Sequence, residues 1–323
     1  MITQEPPAIP SDMLAAIAEC TKCCEEIVDE IGTHAETVRT PPTAYHYTDG
    51  PGLLGVLESG IIRMTDIFGL NDPTELLHGV QHAREILSAE ATKGHPAAKV
   101  FSRDFSSFLN SLQRIAYMFV ACFSHNGDDL GQWRGYGSNG HGFALGFDSE
   151  LLEARFILHD GERVPNNSTF SIRYDDAALR AVHQRLVRKV LPLIGLPHGR
   201  GLDGSVVNEF MKQLSEQFSL CVVRAALFFK HPGYQNEAEY RFLHMRPIDD
   251  LLPDLKLRAR GHSLIRFVEF NWKNTGQPML REVVLGPALD EGAARPFVAE
   301  CLRHAGVDPD GVRIWKSGIP YRG

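Results

Sequence analysis

The sequence predicts an α+β fold, and three observations lead there. Short β-rich segments alternate unevenly with helical ones, without the regular strand–helix–strand rhythm of a doubly wound sheet. The 323 residues are 43% hydrophobic and 23% charged, close to globular averages, so the chain can bury a sizeable core without disulfide or metal staples. No internal repeat or low-complexity tract interrupts the pattern.

The elements follow in chain order. Three prolines mark residues 1–10 as disordered or strapped to the surface. Ser11 or Asp12 caps a helix running to about Val38, with Leu14, Ile17, Cys20, Cys24, Ile27, Val28 and Ile31 at helical spacing. This helix docks on the main body or pairs with a second copy as a homo-oligomer. Thr40-Pro41-Pro42 breaks the chain, which suggests an N-terminal arm over 1–40 and one domain over 41–323. AYHYT is a strand, GLLGVLESG a helix stopped by Gly60, and IIRMTD a second strand. Residues 74–90 and 97–115 are helical, YMFVACFS is a buried strand, and HGFALGFD is a strand ending at Asp148. SIRYDD reads as a strand end, 176–194 and 205–229 as helices, and EAEYRFLHM as a half-buried strand beginning at Glu237. IRFVEF and REVVLGP are further strands, 291–305 a helix and VRIWKS a last strand.

Composition narrows the function classes. Net charge is −7, from 33 basic and 40 acidic residues, which argues against a wide basic surface for nucleic-acid backbone while leaving room for a local patch. MITQEPPAIPSD lacks a positive segment followed by an apolar run, and no apolar stretch approaches the ~20 residues that span a bilayer. A cytoplasmic protein without a membrane partner is expected. Cys20, Cys23 and Cys24 form C-x-x-C-C with only His34 nearby, too few ligands for zinc, so helix-face packing is expected. Cys122, Cys221 and Cys301 lie in apolar stretches and read as buried small hydrophobes. P-loop, dinucleotide-binding, zincin and nucleophile-elbow motifs are absent from the sequence.

Four polar constellations carry chemistry. His46, in Tyr45-His46-Tyr47-Thr48, can bond a ribose hydroxyl or a carboxamide at a sheet opening; the bland alternative is a core histidine bonded to backbone. Asn71-Asp72-Pro73 with Glu75 follows the second strand, where turn formation and helix-dipole pairing are the simpler roles. After Ser124 comes Gln132-Trp133-Arg134-Gly135-Tyr136-Gly137, whose aromatics can stack a base and whose arginine can hold a phosphate, unless Trp133 merely plugs the core. Glu237-Ala238-Glu239 on a strand would put two carboxylates on one face for acid/base work, with Arg241 as the neutralising alternative. His78 and His82 lack a third metal ligand beyond Glu85, and a solvated helix face explains them better.

The order YHYT, LLGVLESGIIRMTD, NDPTE, CFS, QWRGYG, GFALGFD, KHPGYQNEAEYRF, VVLG and KSGIPYR resembles a bacterial family catalogued as domain of unknown function 2971, over roughly residues 44–322. The same succession is more distantly similar to the ADP-ribosyltransferase core. That likeness implies a split two-sheet core with helical insertions at 176–229 and NAD, as substrate, in the cleft between two small sheets. It places His46, Tyr47, Thr48, Asn71, Ser124, Trp133, Arg134 and Tyr136 around NAD, with His46 on the nicotinamide-side ribose and Tyr136 or Trp133 stacked on nicotinamide. Glu239 would be the catalytic glutamate, and Glu237 would assist an acceptor of unknown identity. No metal is implied. The rival expectations are a non-catalytic nucleotide- or partner-binding module and a metal-dependent nuclease or phosphodiesterase using Asp72, Glu75, Glu237 and Glu239.

Overall fold

Helices and strands sort into two units, each gathered from three stretches of chain: Met1–Val38, Asp72–Ile115 and Arg173–Pro232 form a helical unit, and Arg39–Asn71, Ala116–Ile172 and Gly233–Gly323 a sheet unit. The computed structural model describes residues 7–33, 40–70, 75–93, 96–112, 116–159, 162–164, 166–247, 253–273 and 277–321. The expected α+β class holds. The division by contacts differs from the arm over 1–40 and single domain over 41–323 that the sequence suggested.

In the helical unit, α1 (Ser11–Thr33) packs on α7 (Asp176–Ile194) and α8 (Gly204–Leu227), while α3 (Glu75–Thr92) packs on α4 (Pro96–Ser111), α7 and α8. The face of α1 that is buried carries Met13, Ile17, Cys20, Cys24, Ile27, Val28 and Ile31; Leu14, expected on that face, is 43% exposed. Helical phase decides this, since Met13, Ile17 and Cys20 follow the 3–4 residue spacing and Leu14 falls one position off it. His34 and Val38 lie outside the described residues. The side chain of Asp175 caps α7 through the Ala178 amide at 3.0 Å, and Asp203 caps α8 through that of Ser205 at 2.7 Å. Phe101, Phe105 and Phe218 meet in the interior.

The sheet unit contains β1 (Thr43–Thr48), α2 (Gly50–Ser59), β2 (Ile61–Asp66), β3 (Ala116–Ser124), α5 (Leu130–Gly135), β4 (Phe143–Asp148) and α6 (Ser149–Ile157). It continues with β5 (Leu158–His159), β6 (Glu162–Arg163), β7 (Asn167–Ser171), β8 (Glu239–Pro247), β9 (Lys256–Arg260) and β10 (Ser263–Asn271). The last elements are β11 (Leu280–Leu285), α9 (Glu291–His304) and β12 (Arg313–Lys316). Gly60 ends α2 as expected, at φ 67, where a side chain would be strained. The strand expected at SIRYDD lies earlier, as β7, because Asp175 is taken as a helix cap.

Instead of two separate sheets, the described strands form one ten-stranded sheet that forks at β3, plus the β5–β6 hairpin. One edge of β3 holds β8 along its whole length, from Ala116 against Pro247 to Ser124 against Glu239. The other edge is shared: β2 pairs at Val120 and Phe119, and β1 only at Ser124. From there β1, β4, β11 and β12 continue as one wing and β2, β10 and β9 as the other, with β7 outside β8. One sheet face, bearing Phe119, Phe123, Leu145, Phe147 and Phe242, packs against Leu53 and Leu57 of α2, Leu152 and Phe156 of α6, and Val298 and Leu302 of α9. On the opposite face, Tyr47, Trp133, Ala144 and Val284 make a smaller cluster.

Candidate functional site

Of the polar residues singled out in the sequence, Ser124, Tyr136, Glu237 and Glu239 gather where β3 ends and β8 begins. Ser124 is the hinge of this corner. Its hydroxyl donates to the carbonyl of Glu237 at 2.7 Å and accepts from the amide of Asn126 at 3.1 Å. The amide of His125 then donates to the carbonyl of Ala238 at 2.9 Å. These bonds hold Ala238 at φ 41, a left-handed conformation rare for a residue with a Cβ. β8 therefore starts at Glu239, and Glu237 closes a 3₁₀ segment over Pro232–Glu237. The expectation of two carboxylates on one strand face is corrected: the left-handed residue between them breaks the alternation that such a face requires.

The two glutamates consequently live in different surroundings. Glu239 is 3% exposed and forms an ion pair with fully buried Arg241, whose Nε donates to its Oε1 at 2.7 Å. Glu237 is half-buried, and its Oε1 accepts from the hydroxyl of Tyr136 at 3.3 Å. Tyr136 directly follows α5 and is 40% exposed; Arg134, on the same short helix, is exposed and lies over the ring of Tyr321 at 5.9 Å.

His46 and Glu239 are not brought together. Directly opposed residues on neighbouring strands share a face. His46 faces Leu145, and its ring lies 5.7 Å from that of Phe123, on the core face. Ser124 and Glu239 oppose each other one residue out of step with Phe123 and Tyr240, so they point to the other face, as does Tyr45 opposite Ser124. The role of His46 follows from the fork: its Nδ1 donates to the carbonyl of Cys122 at 3.3 Å, on the β3 edge between the partial pairings with β1 and β2. Burial pushes its imidazole down, partly offset by that bond.

The remaining candidates are largely structural. Trp133 is fully buried, its Nε1 donating to Asp128 at 2.8 Å and its ring 4.7 Å from that of Tyr47. The hydroxyl of Tyr47 donates to the carbonyl of Asn126 at 2.7 Å and accepts from the amide of Asp129 at 3.1 Å. Thr48 is half-buried at the end of β1, next to Asp49, which caps α2. Asn71 and Asp72 lie outside the described residues. Glu75 belongs to the helical unit, where it pairs with Lys230 at 3.6 Å. Cys20 and Cys24 are buried on the packed face of α1 and Cys23 is half-buried, while Cys122 is half-buried and not fully buried as expected. Among the described residues, no group of three or more His, Cys, Asp and Glu side chains is placed to hold a metal ion. Sequence reasoning missed Asp128 and Asp129. Asp129 caps α5 through the Gln132 amide, and Asp128 also accepts from Ser317 and Gly318. Their signal was present: paired aspartates just before a helix start. His125, whose Nε2 lies 2.8 Å from the hydroxyl of Ser171 and whose imidazole burial pushes down, had no such signal.

One stretch, from α5 to the middle of β8, matches a known family model. The model of a family described as protein of unknown function (DUF2971) matches residues 132–242. The expected resemblance to this family holds over that range, which is narrower than 44–322. The DUF2971 match takes in QWRGYG, GFALGFD and KHPGYQNEAEYRF, and with them Tyr136, Glu237, Glu239 and Arg241. His46 and Ser124 fall outside it. No curated protein and no solved structure matches the chain. Among the described residues, no helix is long and apolar enough to cross a membrane.

Proposed function

We propose that the sheet unit carries an ADP-ribosyltransferase-like site that takes NAD as substrate, with Glu237 and not Glu239 as the carboxylate facing the ligand. The observation that carries this reading is the half-buried Glu237 held by the exposed Tyr136 at the corner where β1 leaves β3. The fork supports it as the counterpart of a cleft between two small sheets. Breaking the nicotinamide–ribose bond builds positive charge on the ribose, as in glycoside cleavage. A carboxylate bonded to a ribose hydroxyl stabilises that charge as it develops. The exposed ring of Tyr136 offers a stacking face for the leaving nicotinamide, and Arg134 a charge for the pyrophosphate. His46 has no part here, since its ring serves the core face. The acceptor of the ADP-ribose is left open.

The test is to incubate the pure protein with NAD and follow free nicotinamide. Glu237→Gln should cut release about a hundred- to a thousand-fold with NAD binding nearly intact, as expected for loss of one electrostatic contact made in the transition state. Glu239→Gln should instead lower stability by about 3–5 kcal/mol, because it removes a carboxylate paired with the buried guanidinium of Arg241. Full activity in Glu237→Gln would remove the assignment. A specific observation favours a second reading, a nucleotide-binding module without turnover: Arg241 already neutralises Glu239. That reading expects NAD binding by calorimetry and no nicotinamide at all.

A further inference from the structure

The wing formed by β2, β10 and β9 carries a concentration of positive charge that the proposed site does not use. In a chain of net charge −7, residues 255–268 contain Lys256, Arg258, Arg260 and Arg266 and no acidic residue. Lys256, Arg258 and Arg260 alternate along β9, so they project from one face at intervals of about 6.6 Å. On β10 the same face presents Phe267 and Ile265, opposite Lys256 and Arg258. Beyond them lies Arg63 of β2, exposed, with its guanidinium over the ring of Phe267 at 5.1 Å. Arg258 reaches across β10 and donates from Nη2 to the hydroxyl of Thr65 at 3.2 Å.

The pairing of these cations is lopsided. Lys256 is matched by Glu269 at 2.6 Å, and Arg260 donates to the carbonyl of Leu70 at 3.2 Å. Among the described residues, neither Arg63 nor Arg258 has a carboxylate partner, and Nε of Arg258 is buried without a hydrogen bond. Burial, and then the charges of Arg63 and Arg260, pull the guanidinium of Arg258 below its usual value. Charged residues on an edge strand discourage sheet-to-sheet pairing, and that accounts for β9. It does not account for Arg63, two strands inward and opposite Glu269, whose carboxylate is paired with Lys256. Crowding like charges is unfavourable unless a counter-anion is brought to them.

We propose that this face of the β2–β10–β9 wing binds the phosphate backbone of a single-stranded nucleic acid, with Arg63 and Arg258 as its principal contacts. The regular cation spacing along β9 suits successive phosphates of an extended strand better than one isolated anion. The inference does not depend on the NAD reading.

The test is fluorescence anisotropy with a short labelled single-stranded DNA oligonucleotide, titrated with the full chain at about 50 and 200 mM salt. Binding should weaken steeply with salt. Arg63→Gln and Arg258→Gln should each weaken it several-fold and lower the log–log salt slope by about 0.7. Arg63 is exposed, so its variant stays informative should Arg258→Gln fail to fold, which circular dichroism would show. Inorganic phosphate and a mononucleotide should compete only weakly. No binding by the wild type at the lower salt, or unchanged binding in Arg63→Gln, would overturn the proposal. Competition by free phosphate at concentrations similar to the oligonucleotide would also overturn it, by showing a single-anion site.

Discussion

Burial pushes the imidazole of His183, on α7 in the helical unit, down to about 3, and the nearby charge of His82 adds to the shift. In an unfolded chain the same side chain titrates near 6.5. Above that value neither state binds the proton. As pH falls below it, the unfolded chain takes up a proton that the native protein refuses, so stability declines until pH reaches about 3. One such group contributes at most about 1.4 kcal/mol per pH unit. His46, His125 and His244, also pushed down by burial, act in the same direction. Urea unfolding of the wild type should therefore show a midpoint that drops between about pH 7.5 and pH 5. His183→Leu, which keeps an apolar group of similar size in place, should show a shallower drop. Identical slopes for the two proteins would mean that His183 is not the group being titrated. The same logic of burial separates the two glutamates of Glu237-Ala238-Glu239. Glu239 is spent on Arg241 inside the protein, and only Glu237 keeps solvent access.

At the level of elements, α1 is the clearest case of a segment whose partners the sequence left open. Its buried face places seven apolar side chains against α7 and α8, and Arg185, Arg200 and Arg224 reach its acidic face at Glu30, Asp12 and Asp29. The exposed ion pairs contribute little, up to about 1 kcal/mol each. The buried side chains contribute about 1.5–3 kcal/mol apiece, and together they match or exceed the usual net stability of a whole domain. Deleting residues 1–40 should therefore abolish cooperative unfolding of the remaining helices and make them protease-sensitive. A truncated protein with an unchanged melting temperature would show that α1 is a detachable arm. Most elements were legible because their signals are local: Gly60 stops α2, and YMFVACFS is too apolar to be anything but a buried strand. Three were not. β9 escaped because KLRAR, with charge on every second residue, looks solvated unless its place at the sheet edge is known. Leu14 was taken for Met13 because an apolar pair one residue apart does not fix helical phase. Glu237 was put on β8 because nothing in the identity of Ala238 announces a positive φ; bonds from Ser124 and His125, more than a hundred residues earlier, impose it.

For the whole molecule, the consequence of two separately cored units is that each should have its own unfolding transition. Neither can be cut out to check this, because each is assembled from three stretches of chain. The distribution of tryptophan supplies another route. Trp133, Trp272 and Trp315, the three tryptophans of the chain, all belong to the sheet unit. Tryptophan fluorescence therefore reports on the sheet unit, whereas the far-ultraviolet dichroism of helices is dominated by α1, α3, α4, α7 and α8 of the helical unit. Phe218 of α8 packs its ring 5.5 Å from Phe101 and 5.4 Å from Phe105, so Phe218→Ala should cost the helical core about 3–5 kcal/mol. On heating, the dichroism midpoint of this variant should fall while the fluorescence midpoint stays where it is in the wild type. Phe242, fully buried among Phe123, Phe156 and Tyr240 in the sheet core, should give the mirror image as Phe242→Ala, lowering the fluorescence midpoint and sparing the dichroism. Coincident shifts of both signals in both variants would show that the two units unfold as a single cooperative body, since shared transitions are the mark of two-state behaviour.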